Sequence, residues 1–334
     1  MGGSFDALLV LSFGGPEKPE DVEPFLDNVL RGRHVPDERR KEVAGHYLAF
    51  QGRSPLNDQN RALVEALRAE LEANAIRLPV YWGNRNWRPF LADTLREMAR
   101  DGVRRSLAFV TSTFSSYSGC RQYLEDIAAA RALLGASAPE VEKLRGLFNH
   151  PGFVEACADR LRAARADAGP DAPVLFTAHS LPAAMAATCA YEEQFLETAG
   201  LVAGAAGTSR WSLAYQSRSG PPSQPWLEPG VDEELRRLAR EGARAVVVSP
   251  IGFLSDHMEV VYDLDTAARA TAESAGLRLV RAGTAGTHPG LVAAVRELVQ
   301  ERTHGAPRRS LGRLPPLPDA CPDDCCPPGR SRPG

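Results

Sequence analysis

Short apolar runs alternate with longer stretches of helical periodicity along most of the chain. The runs are Ala7 to Phe13, Pro79 to Trp82, Leu107 to Thr111, Val174 to Ala178, Ser212 to Tyr215, Ala245 to Ser249 and Leu279 to Arg281. Each is too short for a helix and rich in branched or aromatic residues, the signature of a buried strand. Between them Leu63, Leu67 and Leu71 recur at i, i+4 and i+8, and Leu291, Val295 and Leu298 at i, i+4 and i+7, which places each set on one helix face. Strands and helices in alternation predict an α/β fold with parallel sheets covered by helices on both faces.

The pattern also repeats. Ala99-Arg100-Asp101-Gly102-Val103-Arg104 echoes Ala239-Arg240-Glu241-Gly242-Ala243-Arg244, each a helix end with a glycine stop before a strand, and Asp6 to Val10 echoes Asp171 to Leu175. Two similar halves explain both echoes. The expected organisation is an N-terminal Rossmann-like domain over 1–150, a C-terminal one over 151–285, a final helix over 286–305 and a Pro- and Cys-rich tail over 306–334. From about Gly305 the composition shifts to Pro, Arg, Gly and Asp, and Pro315 to Gly334 is expected to be disordered unless something ties it down.

Composition narrows the function. The 334 residues are 43% hydrophobic and 24% charged, an ordinary globular balance long enough for two domains. Net charge is −3 from 39 basic and 42 acidic residues, with no basic stripe, so a nucleic-acid partner is not expected. Arg31, Arg33, Arg39 and Arg40 form only a local patch, either a solvated helix end or a contact for an anionic substrate. The N-terminal apolar run is too short for a signal peptide or membrane span, and a cytoplasmic protein with no transmembrane segment is expected. Six cysteines in that compartment are not a disulfide framework, which leaves thiolate metal ligation open.

The candidate chemistry sits just after two of the expected strands. Thr177-Ala178-His179-Ser180-Leu181-Pro182 delivers a histidine at a strand end, where an open α/β sheet places its chemistry. Pro250 to Glu259 follows another strand and supplies a carboxylate, and Asp263 lies four residues beyond Glu259, so on a helix the two acids share a face. A solvated helix face paired with Arg269 would give the same pattern. His257 reads as a residue holding the loop, and His34, His46, His150, His288 and His304 as surface histidines. Gly14 and Gly15 close the first strand with room for close backbone approach to a ligand.

Several motifs in order carry a resemblance: Leu8 to Pro16, Gly52 to Asn60, Thr177 to Pro182, Gln216 to Pro222, Trp226-Leu227-Glu228-Pro229 and Ser249 to Asp265. On these residues the chain resembles the ferrochelatase family, which inserts Fe2+ into a porphyrin, and among its branches the actinobacterial type that acts on coproporphyrin III. The resemblance implies two Rossmann-like domains with a porphyrin cleft between them, a class II chelatase-like fold, with the final helix packing back on the first domain. It implies His179 as the residue that takes pyrrole protons and ligates iron, Glu259 as the carboxylate opposite it across the porphyrin plane, and Asp263 as the next acid on an iron or proton path. Phe13, Arg53, Ser54 and Tyr123 match porphyrin-binding positions. Phe13 stands where some coproporphyrin enzymes carry a tyrosine, so it offers an apolar wall without a hydroxyl. Tyr123 could equally be a helix residue packed inward, and Trp226 a core tryptophan.

The resemblance further implies a [2Fe-2S] cluster held by Cys157 with Cys321, Cys325 and Cys326, remote from His179 and structural or iron-sensing in role. A zinc site or free thiols in the tail are the alternatives. The function implied is a coproporphyrin III ferrochelatase, acting as a monomer that hands its product to a downstream heme-pathway enzyme. The alternatives are the same reaction on protoporphyrin IX, or a non-catalytic heme or iron-sulfur sensing protein on the same architecture.

Overall fold

A computed structural model describes residues 4–32, 35–221 and 223–329. Arg33, His34, Pro222 and residues 330–334 of the tail lie outside the described residues. The chain forms two compact units. The first takes the residues up to Thr111 with Tyr123–Leu144 and Ser255–Met258, and the second takes Ser112–Gln122, Arg145–Leu254 and the residues from Glu259 on.

In the first unit β1 (Ala7–Ser12), β2 (Val80–Asn84), β3 (Arg105–Val110) and β4 (Glu140–Lys143) form a parallel sheet in the order β2-β1-β3-β4. In the second, β5 (Val174–His179), β6 (Trp211–Gln216), β7 (Ala245–Ser249) and β8 (Arg278–Arg281) repeat that order as β6-β5-β7-β8. The two echoed halves are therefore two copies of one βα plan. β1 is buried along its whole length because helices cover both faces of its sheet. On one face Leu9 and Leu11 pack with Leu91, Leu95, Met98, Tyr123 and Ile127. The corresponding face of the second sheet joins Leu175, Val246 and Val248 to Leu235, Leu238 and Leu264.

The echoed helix ends are superposable in their hydrogen bonds. After helix Leu91–Arg100, Gly102 adopts φ +82° while Val103 N–H reaches the Met98 carbonyl at 3.0 Å. After helix Val231–Arg240, Gly242 adopts φ +86° and Ala243 N–H reaches the Leu238 carbonyl at 3.1 Å. Left-handed backbone at both points explains why glycine stands there.

The second unit also contains helix Pro151–Ala168 and the final helix Pro289–His304, which pack on each other. The final helix thus lies against its counterpart in the second unit, where the resemblance implied the first domain. Both helices begin His-Pro-Gly. A Cβ on Gly152 would stand 2.3 Å from the Gly290 carbonyl oxygen, so the pair can cross this closely only with glycine. His150 and His288 cap the two helices through Nδ1, which accepts from Gly152 N–H at 3.2 Å and Gly290 N–H at 3.0 Å. Each Nε2 then reaches an acid on the opposite helix, Glu297 at 3.3 Å and Asp159 at 2.9 Å. His150 is buried, not a surface histidine, and burial with Arg145 and Arg309 nearby holds its pKa down at about 3.

The tail is tied down. Asn149 donates to the carbonyls of Leu311 (3.3 Å) and Leu314 (2.8 Å), and Arg145 donates to that of Arg309 at 3.0 Å. Further on, Arg121 Nε donates to the Cys325 carbonyl at 3.1 Å and Thr188 Oγ1 to that of Pro327 at 3.1 Å. The segment has no regular structure of its own, and side chains of the folded unit supply many of its hydrogen bonds. Among the described residues no helix is long and apolar enough to cross a membrane.

Candidate active site

The neighbours of β5 in its sheet are β6 on one side and β7 on the other. Connections leaving the carboxyl ends of β5 and β7 therefore diverge, and an open sheet has its binding crevice at such a point. His179 is the last residue of β5, and Glu259 lies in the segment after β7. His179 Nε2 stands 3.5 Å from Glu259 Oε2, with the imidazole 31% and the carboxylate 51% exposed. The residues that the sequence placed on separate loops meet in one unit.

The imidazole is oriented from behind. His179 Nδ1 lies 2.5 Å from the Ser180 carbonyl oxygen, which can only accept, so Nδ1 carries a proton and Nε2 is the nitrogen presented to Glu259. The buried Tyr191 hydroxyl donates to the His179 carbonyl at 2.8 Å, and Ser180 Oγ donates to the Leu227 carbonyl at 2.9 Å. Leu227 N–H returns to the Leu181 carbonyl at 2.9 Å, zipping the Thr177–Pro182 and Trp226–Pro229 motifs together. Behind them, a Cβ on Gly252 would lie 2.6 Å from Ala178 Cα, so the loop after β7 passes directly over the strand that carries the histidine.

Burial by itself lowers the His179 pKa. It is outweighed by the Glu259 carboxylate, the Ser180 carbonyl and the Asp263 charge, and the net shift is upward. The imidazole is thus a stronger base than a free histidine. Beyond Glu259 the chain winds as a π-helix, Val261–Ala268, a wide turn found often at functional sites. Asp263 sits on it and accepts from Ser217 Oγ at 2.5 Å. Burial pushes the Asp263 carboxyl up to about 6, with Glu259 adding to the rise and Ser217 and Gln216 opposing it. Arg269 does not pair with these acids; its guanidinium donates to the carbonyls of Asp265 and Leu279.

A carboxyl whose folded pKa lies near 6, above its ordinary 3.8, binds a proton more tightly folded than unfolded. Its contribution to stability is present below about pH 4 and is lost as the pH rises to about 6. Asp263→Asn should therefore flatten the fall in urea midpoint across that window, and an unchanged slope would show that Asp263 does not titrate there.

The other expected site residues fall in the first unit. Phe13 is 38% exposed and its ring meets Phe25 edge-on at 6.2 Å. Tyr123 is packed inward in the core, as its helical position allowed, and burial raises its pKa. Arg85 links the two, with its guanidinium 4.5 Å from the Tyr123 ring centre and 5.9 Å from that of Phe13, and it pairs with Asp126. Arg53 is exposed and pairs with Asp58 at 2.5 Å. Ser54 is buried under Gly15, and its Oγ accepts from Leu56 N–H at 3.4 Å at the start of helix Leu56–Ala73. Arg85, Tyr191, Gln216 and Ser217 were not singled out from sequence, although the last two open the Gln216–Pro222 motif.

Cys157 is buried within helix Pro151–Ala168, and burial pushes its thiol well up. Cys325 and Cys326 have their sulfurs 3.5 Å apart, and burial, then Cys325, Cys120 and Cys189, raise Cys326 to about 12. The thiols that bear on the tail are Cys120 and Cys189. Among the described residues no three His, Cys, Asp or Glu side chains are disposed to hold a metal ion.

A sequence model of one family, ferrochelatase, matches residues 5–303. The chain belongs to the ferrochelatase family. Its relatives include a ferrochelatase of Rhodopirellula baltica, 53% identical over 96% of this chain and 93% of that protein. A coproporphyrin III ferrochelatase of Frankia alni is 55% identical over 99% of this chain and 89% of that protein. One from Streptomyces griseus is 49% identical over 97% and 93%. Among solved structures, SirB from Bacillus subtilis with Fe3+ aligns with a TM-score of 0.57 at 12% identity, covering 90% of this chain and 96% of that one. This second likeness concerns the fold, two parallel-sheet α/β units shared with chelatases.

For a ferrochelatase-family enzyme the 3.5 Å approach of His179 to Glu259 has a geometric consequence. A flat macrocycle makes non-bonded contacts of about 3.5 Å on each face, so two groups flanking it stand about 7 Å apart. His179 and Glu259 therefore do not face each other across a porphyrin plane.

Proposed function

We propose that this chain inserts Fe2+ into coproporphyrin III to give Fe-coproporphyrin III (coproheme) in heme biosynthesis. The observation that carries the reading is the His179 Nε2 to Glu259 Oε2 pair at the carboxyl edge of the second sheet, with Asp263 next to it. Insertion removes two pyrrole protons while Fe2+ takes their place. An imidazole made more basic by a carboxylate accepts such a proton at Nε2, and Glu259 stabilises the imidazolium that results. Asp263, with a pKa near 6, passes protons on near neutral pH, and the pair of acids draws Fe2+ to the same point. Phe13, Arg53, Ser54 and Tyr123 are the porphyrin-binding residues of this reading. The protein works in the cytoplasm as a monomer and hands coproheme to a downstream heme-pathway enzyme.

The substrate is assigned from the full-length relatives of Frankia alni and Streptomyces griseus, both named as coproporphyrin III ferrochelatases. Protoporphyrin IX carries two vinyl groups where coproporphyrin III carries two further propionates. Anaerobic turnover with the two porphyrins in competition should favour coproporphyrin III, and a preference for protoporphyrin IX would reassign the substrate while keeping the reaction.

A [2Fe-2S] cluster is part of the same proposal, held by Cys321, Cys325 and Cys326 with an internal thiol. Cys120 and Cys189, which border Cys326, are the residues for that internal place. Cys157→Ser should leave the visible absorption of the purified protein intact, while Cys120→Ser or Cys189→Ser should bleach it. A wild-type protein colourless under anaerobic purification would remove the cluster from the reading.

A further inference from the structure

Gln216 is the last residue of β6 and sits in register beside His179 on β5. Its main-chain carbonyl accepts the Ser180 N–H at 2.7 Å, which fixes the residue whose own carbonyl orients the His179 ring. Its side chain goes the other way. Nε2 donates to the Glu259 main-chain carbonyl at 3.3 Å. One residue, 5% exposed, therefore grips the histidine loop with its backbone and the acidic helix with its side chain.

The amide oxygen shows that the side chain is not there for stability alone. Oε1 is buried with no hydrogen-bond partner among the described residues, a placement that costs stability. Turning the amide over would put its oxygen against the Glu259 carbonyl, two acceptors in contact, so the amide nitrogen is committed to the acidic side. A buried amide held in this half-satisfied state between two site segments is the pattern of a group kept for geometry.

We propose that Gln216 is a positioning residue that sets the separation of His179 and Glu259, and that it acts on iron insertion through Glu259. The inference rests on the reading of His179 and Glu259 as the insertion pair. Gln216→Met keeps the length and removes both N–H donors. Losing them frees the first turn of the acidic helix, and kcat for coproporphyrin III should fall about tenfold, the effect of one buried hydrogen bond, with KM for the porphyrin unchanged. Gln216→Leu also removes the donors without adding a charge, so it should show the same loss and serves if the Met variant does not fold.

The deciding measurement is a double-mutant cycle with Glu259→Gln. If Gln216 acts through Glu259, Gln216→Met costs little or nothing further once Glu259 is neutralised, whereas a general packing defect costs the same factor in both backgrounds. Equal cost in both backgrounds, no cost in either, or a change confined to KM overturns the proposal. Failure of the reading beneath it has its own signature, a Glu259→Gln single variant that inserts iron at the wild-type rate.

Discussion

His179→Ala should abolish iron insertion, lowering kcat by about 10²–10⁴-fold, the range for loss of a positioned general base. The side chain is 31% exposed and outside the sheet core, so the thermal midpoint should stay near that of the wild type. The main-chain contacts of the loop, from Tyr191 Oη to the His179 carbonyl and from Ser180 N–H to the Gln216 carbonyl, do not depend on the imidazole and should persist. Porphyrin binding, followed by quenching of protein fluorescence, should therefore survive while turnover is lost. Glu259→Gln should fall short of this loss, because the imidazole keeps its Nδ1 bond to Ser180 and its Nε2 lone pair and loses only the charge that makes it more basic. His179→Ala turning over within about threefold of wild type would exclude this histidine as the base and move the chemistry elsewhere on the chain.

How far the sequence carried the argument depended on whether a feature was local. Val174 to Ala178 and Ala245 to Ser249 are continuous apolar runs, and their strands end within one residue of the expected points. β4 was missed because Glu140-Val141-Glu142-Lys143 is an edge strand with one face in water, so it has no apolar run to find. His179 was legible from its position after a buried strand. That it touches Glu259 was not, because the distance between two loops depends on how Gln216 and the loop at Gly252 pack behind them, and neither leaves a periodic signal. The nearness of Cys120 and Cys189 to Cys326 was hidden for a related reason, because spacing along the chain does not report it. The docked tail is the clearest case. Its Pro- and Gly-rich sequence has no core-forming pattern, and the groups that hold it, Arg145, Asn149, Arg121 and Thr188, lie more than a hundred residues away in sequence.

The largest expected effect on stability lies in the ion pair beneath this tail. The Arg145 side chain is fully buried, and its guanidinium meets the 3% exposed Glu301 carboxylate through two bonds of 2.7 Å. The remaining donors go to the carbonyls of Gly146 at 3.3 Å and Arg309 at 3.0 Å. Every charge in this arrangement is matched, so the pair itself adds little net stability over a well-packed apolar replacement, while removing one partner strands the other in a dry interior. Glu301→Ala should destabilise the protein by about 3–5 kcal/mol, read as a lower urea midpoint, and Arg145→Met by a similar amount. The double variant Arg145→Met with Glu301→Met should lose much less than the two single losses combined, since neither charge is then left alone. The single variants should also speed proteolysis of the chain beyond His304, because Arg145 is the donor that holds the Arg309 carbonyl. Glu301→Ala within about 1 kcal/mol of wild type would mean that water reaches Arg145 when its partner is gone, and that the tail is held by Asn149 and the later contacts alone.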